Sequence, residues 1–196
     1  MTIIKKKALF VDSKNNEQHA LITICEGFYV GILVTDSNSN ETGYMNIYFH
    51  PDKRFYLDTV YCYDQFRNRG IATFMSKLSD YILKDYVGYV IRGVYEPGQL
   101  STDRENNIMR NQDELEIAAR SFYETNGYQI ISYEDYCNNK ERFPYLMDSD
   151  FCLGEDDPST IVAKVLAYQD CLFREEDGKI YCNDLSLKKT KERSNI

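Results

Sequence analysis

The chain has 196 residues and a mass of 23.0 kDa, enough for one domain with an appendage and too little for two of typical size. Hydrophobic residues make up 43% and charged residues 28%, which excludes collagen-like, disordered and low-complexity classes. The formal net charge of -8 is uneven: residues 1–98 hold 11 basic and 11 acidic side chains, and residues 99–196 hold 12 and 20. With the basic run at 188–193 set aside, residues 99–187 carry -11. Phosphate contacts dominate nucleic-acid affinity, so an acidic half argues against that partner and suits a cationic one. A nucleic-acid role would rest on KKTKER at 188–193 alone.

Residues 7–63 are rich in β-branched and aromatic residues broken by turn clusters. ALITI, FYVGILVTD, YMNIYF and FYLDTVYCY are predicted strands, with NSNETG at 38–43 as a turn, giving several antiparallel strands. At Gly70 the period changes. Ile71, Phe74, Met75, Leu78 and Ile82 lie at helical spacing, so a helix is predicted to about Asp85. VGYVIRGVYE at 87–96 reads as another strand, closed by Pro97-Gly98. Residues 99–110 form a long polar loop, readable as a binding loop or a solvated insertion. Asn111 with Glu114 resembles a helix N-cap and its N3 partner, Leu115, Ala118, Ala119 and Phe122 continue at helical spacing, and Asn126-Gly127 supplies the stop. Strands are predicted at 128–133 and 145–153. Asp157-Pro158 then reads as the start of a third helix over 159–170, bearing Ile161, Val162, Val165, Leu166 and Gln169. That helix could pack on the sheet, cover an acceptor cleft or form a homodimer contact. Beyond Asp170 the pattern fades. The expected class is mixed α/β, with a mostly antiparallel central sheet, flanking helices and a short C-terminal helical extension.

The six cysteines form no CxxC pair, and only His19 and His50 could join them as nitrogen ligands, so no metal site is expected. The basic start, MTIIKKKALFVD, is followed by too short an apolar run, Ala8 to Val11, for a secretory signal. Reduced thiols in a cytoplasm are the expectation.

The most informative segment runs from Tyr56 to Ile82. A strand ends in a turn carrying Arg67, Arg69 and Gly70, and a helix begins at once. A helix N-terminus presents unpaired N–H groups and partial positive charge, and is a natural anion site. Gly70 and Ala72 are small where backbone must approach an anion, and the two arginines offer charge-assisted donors. Neither GxxxxGK[ST] nor GxGxxG is present. Read alone, the turn is equally a solvated, Arg-rich helix start.

Arg67-Asn68-Arg69-Gly70-Ile71-Ala72 resembles the R/Q-x-x-G-x-G/A signature of the GNAT superfamily of acyl-CoA-dependent N-acetyltransferases, with Ala72 where glycine is commoner. Ala118 to Tyr128 (AARSFYETNGY) resembles the second signature of that family, with Tyr128 for its final Phe. The resemblance covers residues 20–153 and implies a GNAT domain over 1–157, an extension at 158–187 and a disordered basic tail at 188–196.

In such enzymes acetyl-CoA lies where the strand at 56–63 splays from that at 87–96. The resemblance implies main-chain contacts from Tyr61, Cys62 and Tyr63 to the pantetheine arm, and pyrophosphate on the N–H groups of Arg67, Asn68, Arg69, Gly70, Ile71, Ala72 and Thr73. The reaction is direct attack of an amine on the thioester. It needs a base or water chain for the ammonium proton and a backbone donor for the tetrahedral oxyanion. The Cys62 N–H matches that donor. Tyr123 matches the general acid for the thiolate, since a phenol is protonated at neutral pH. Asp58 and Glu96 occupy positions from which related enzymes recruit a base, and desolvation between strands would tune either one. A covalent route through the Cys62 thiol with His50 as base is the alternative chemistry. The function implied is an N-acetyltransferase acting on a cationic small-molecule or peptide amine, with no nucleic acid or membrane as partner. The alternative is a GNAT-fold acyl-CoA-binding sensor or assembly module without transfer.

Overall fold

The computed structural model describes residues 2–50, 54–95, 112–151, 159–167 and 172–182. The loop at 99–110, Asn111, Glu96, Asp157-Pro158 and the tail at 188–196 lie outside them. The chain divides into two compact units, residues 1–89 with 165–196 and residues 90–164.

The first unit is built on a sheet whose strands are β1 (Ile3–Val11), β2 (Glu17–Cys25), β3 (Tyr29–Asp36), β4 (Glu41–His50) and β5 (Arg54–Cys62), with β9 (Phe173–Glu176) and β10 (Lys179–Cys182) from the C-terminal part. Their order is β5-β4-β3-β2-β1-β10-β9. Each pairing is antiparallel except β1 with β10, which is parallel with Lys7 opposite Lys179. Period-two alternation decides which face is covered. Ala8, Phe10, Ala20, Ile22, Val30, Ile32, Val34, Met45 and Ile47 are buried. Helix α1 (Ile71–Ile82) contributes Ile71, Phe74, Met75, Leu78 and Tyr81 to the core, and the Phe74 ring stacks on Phe10 with centroids 3.9 Å apart.

The second unit contains β6 (Val90–Val94), α2 (Gln112–Thr125), β7 (Gln129–Ile131), α3 (Tyr133–Asn138) and β8 (Ile161–Val165), with the strands in order β7-β8-β6. Its core gathers Val90, Ile131, Tyr136, Phe143, Leu146, Phe151, Ile161 and Ala163. Ser132 caps α3 by accepting the Asp135 N–H at 3.0 Å. No helix among the described residues is long and apolar enough to cross a membrane.

The structure differs from the sequence-based expectation in four elements. Residues 161–165 are a strand, where a helix over 159–170 was expected. Ile161 to Lys164 are all buried, and such a run fits a fully covered strand as well as a helix segment; its β-branched content decides for the strand. At 145–153 no strand forms among the described residues. The Asp150 carboxylate accepts the Met147 N–H at 2.8 Å and closes a 3-10 turn over Asp148–Asp150. The region beyond Asp170 holds the β9–β10 hairpin, turned by Asp177 and Gly178, whose φ values are 51° and 71°. Finally, β1 includes the three-lysine run that read as a basic start.

Close packing of α1 depends on Gly43 in β4. A Cβ there would lie 2.7 Å from the Tyr61 carbonyl oxygen and 3.3 Å from both Ile71 and Met75. Gly43→Ala should therefore destabilise the chain by about 1–3 kcal/mol, the usual cost of overpacking. Urea unfolding measures this, and an unchanged midpoint and slope would contradict the packing described.

Candidate functional site

The turn between β5 and α1 lies wholly within the first unit, and its geometry follows from its backbone. Asp64–Phe66 form one 3-10 turn that buries Phe66. Asn68 then adopts φ 59°, and Gly70 adopts φ 83° and ψ 4°. Glycine takes the left-handed region without steric cost, so the chain reverses sharply and α1 starts at Ile71. The Phe74 N–H reaches the Gly70 carbonyl at 2.8 Å. That is the first helical bond; no side chain caps the start, and the N–H groups of Ile71, Ala72 and Thr73 lack intrahelical acceptors by the geometry of any α-helix.

Both arginines are partly engaged within the turn. Arg67 Nε lies 2.8 Å from Asp64 Oδ1 and donates to the Cys62 carbonyl at 3.1 Å. Arg69 Nη2 donates to the Gln65 carbonyl at 2.8 Å, and its guanidinium sits 4.8 Å from the Phe66 ring centroid. They brace the turn as well as supplying positive charge beside it.

The β5 residues before the turn alternate in direction. The Tyr63 N–H bonds the Thr42 carbonyl at 3.1 Å, so the backbone at Tyr63 and Tyr61 faces β4 while that at Cys62 faces the other way. Tyr61 makes ring contacts with Tyr44 at 5.4 Å and with Tyr63 at 5.2 Å, and Tyr63 donates to Glu41 at 3.0 Å. Burial pushes the Cys62 thiol up to about 11, against the opposing pull of Arg67 and Arg69. This disfavours the thiolate. In addition, His50 pairs with Arg54 at the far end of the hairpin while Cys62 pairs with Gly43, a separation of about 25 Å at the rise of a strand. The covalent Cys62–His50 route is thereby excluded.

Asp58 marks a β-bulge: Asn46 pairs with Thr59 and Ile47 with Leu57, leaving Asp58 as the extra residue. It is exposed, with Thr59 Oγ1 donating to it at 2.9 Å. The desolvated carboxylate expected there is absent. Tyr123 lies in the second unit, near the end of α2, buried among Tyr95, Phe122 and Tyr128 with ring centroids 5.1 to 5.7 Å away. Its carbonyl accepts the N–H groups of Asn126 and Tyr128, and Gly127 at φ 79° ends the helix. Nearby, burial and a 2.7 Å hydrogen bond to Glu116 push the Tyr95 hydroxyl up to about 12. No group of three potential metal-ligating side chains occurs among the described residues.

Sequence reading missed the support of the turn. Ser13, between β1 and β2, donates its N–H to the Arg69 carbonyl at 3.1 Å and its hydroxyl to the Asn68 carbonyl at 3.2 Å. Asp12 beside it is buried and lies 3.8 Å from Arg69 Nη1. A signal existed: Gln18 occupies a core-facing phase of β2, in register with Ala20 and Ile22, where a polar residue needs a buried partner.

No protein-family model and no curated protein matches the sequence. Among solved structures, the chain is similar to an acetyltransferase of the GNAT family from Staphylococcus aureus Mu50, with 14% identity, coverage of 72% of this chain and 70% of that one, and a TM-score of 0.48. It is similar to an aminoglycoside 6'-N-acetyltransferase complexed with coenzyme A, with 15% identity, 74% and 76% coverage and a TM-score of 0.44. A third is the PaiA N-acetyltransferase from Thermoplasma acidophilum in complex with coenzyme A, with 13% identity, 70% and 61% coverage and a TM-score of 0.42.

A thiol raised to about 11 is almost wholly protonated at pH 8. Iodoacetamide at that pH should label Cys62 much more slowly than the exposed Cys137, with Cys62 labelling still rising as pH climbs from 9 to 11. Peptide mapping by mass spectrometry reads both rates. Equal rates at pH 8 would contradict the burial assigned to Cys62.

Proposed function

We propose that the chain is an N-acetyltransferase that moves the acetyl group of acetyl-CoA to a primary amine of a cationic acceptor. The observation that carries this reading is the uncapped start of α1, reached through left-handed Asn68 and Gly70 and flanked by Arg67 and Arg69. Convergent N–H groups at such a start, with guanidinium charge beside them, suit the pyrophosphate of coenzyme A. The second GNAT-like signature, Ala118 to Tyr128, supports the same reading, and the -11 on residues 99–187 supports a cationic acceptor.

In this proposal the N–H groups from Arg67 through Thr73 hold the pyrophosphate, and the main chain of Tyr61, Cys62 and Tyr63 lines the pantetheine arm. A base takes one proton from the acceptor ammonium; Asp58 fills that role directly or through water, with Glu96 as the other candidate. The amine lone pair attacks the thioester carbonyl, forming the C–N bond, while the Cys62 N–H stabilises the oxyanion. Collapse breaks the C–S bond, the phenol of Tyr123 gives its proton to the coenzyme A thiolate, and the resulting phenolate takes up the second proton from the acylated nitrogen, leaving a neutral amide.

Thiol release from acetyl-CoA across a panel of cationic amines tests the reading, alongside a thermal shift with coenzyme A. Turnover with at least one amine is expected. Tyr123→Phe should lower kcat by about a hundred-fold, the scale of one general acid, with coenzyme A affinity unchanged. Tight coenzyme A binding without turnover on any amine would instead identify an acyl-CoA-binding module, and no binding at all would sink both readings.

A further inference from the structure

The segment from Tyr63 to Arg69 is tied at both ends to one buried polar group, the Asp12 carboxylate. At the Arg69 end, Asp12 Oδ2 faces Arg69 Nη1 at 3.8 Å, and the adjacent Ser13 holds the carbonyls of Asn68 and Arg69. At the Tyr63 end the link is longer. Gln18 Nε2 donates to Asp12 Oδ2 at 3.2 Å, Thr42 Oγ1 donates to Gln18 Oε1 at 3.1 Å, and the Thr42 carbonyl accepts the Tyr63 N–H at 3.1 Å. Asp12, Gln18 and Thr42 are each 0–1% exposed. The carboxylate is itself fixed by the N–H groups of Lys14 and Asn16, both at 2.9 Å, and by Asn16 Nδ2 at 3.3 Å.

The orientation this imposes bears directly on anion binding. In a planar trans peptide the C=O and N–H point in opposite directions. With the carbonyls of Asn68 and Arg69 held on Ser13, the N–H groups of Arg69 and Gly70 are turned away from the β1–β2 turn. Without that hold, the left-handed residues at 68 and 70 would leave a short, hinge-like segment free to rotate its peptides. A buried network joining the β1–β2 turn to β2 and β4 restrains such rotation.

We propose that Asp12, Gln18 and Thr42 form a positioning clamp that holds the Asn68–Gly70 peptides with their N–H groups aimed at the pyrophosphate of coenzyme A. The clamp touches no reacting atom and acts through Ser13, Arg69 and Tyr63. It rests on the reading of this turn as the phosphate site of the cosubstrate.

Titration calorimetry of the full chain with coenzyme A separates the possibilities. Asp12→Asn keeps the shape but removes the charge, and should weaken the Kd about ten-fold, the worth of a charge-assisted contact. Thr42→Val removes one hydroxyl from the relay and should weaken the Kd several-fold, with Thr42→Ser restoring it. A purely structural role would reduce the fraction of folded protein, lowering the binding stoichiometry while leaving the Kd of the remainder unchanged. If Asp12→Asn fails to fold, Thr42→Val and its serine counterpart decide. A wild-type Kd in folded Thr42→Val would overturn the clamp while leaving the phosphate site intact. A wild-type chain that does not bind coenzyme A would remove the phosphate site and the clamp with it.

Discussion

Gly70 leaves the first turn of α1 without a side-chain cap, and the proposed phosphate site depends on that opening. A Ser or Asp at this position would satisfy one of the orphan N–H groups, but would also carry a Cβ into a φ of 83°. The surrounding structure fixes where the open end points. Phe74 stacks on Phe10, Gly43 lets Ile71 and Met75 approach β4 closely, and Ser13 holds the carbonyls that precede the helix. Apolar burial on one side of α1 and hydrogen bonding at its start thus orient the same set of donors.

The proposed anionic ligand would meet guanidinium charge that is already partly offset within the chain. Residues 1–98 are neutral overall, and each arginine faces one carboxylate, Arg67 that of Asp64 at 2.8 Å and Arg69 that of Asp12 at 3.8 Å. Within the turn, their contacts with Asp64, Gln65 and Phe66 limit side-chain freedom, which reduces the entropy lost when an anion arrives. In the proposed reading Cys62 offers this region its backbone, because burial pushes its thiol up to about 11.

Sequence reading was accurate where local pattern and tertiary environment agreed. The switch from period two to helical spacing at Gly70 located α1 within three residues at its far end, and the strands from β2 to β5 followed their alternating apolar residues. The mixed α/β class with mostly antiparallel strands came from the same signals. It failed where one residue set fitted two structures. Ile161 to Lys164 is covered on both faces, which erases the alternation that identifies a strand. The polar pair Asp148 and Asp150 could have sat on a strand, but Asp150 caps a turn and pairs with Arg92 at 3.0 Å. Asp177-Gly178 carried a strong hairpin signal, obscured by the short polar strand before it. The support of the site by Asp12, Ser13, Gln18 and Thr42 was not legible because it joins residues up to 57 apart, and only the odd placement of Gln18 hinted at it.

The most direct measurement is the amide spectrum of the isotopically labelled chain during titration with coenzyme A. If the start of α1 cradles the pyrophosphate, the amides of Arg69, Gly70, Ile71, Ala72 and Thr73 should shift together, downfield and to saturation at one common affinity. Saturable binding that leaves these five amides unmoved would contradict the central claim, because the ligand would then be held elsewhere.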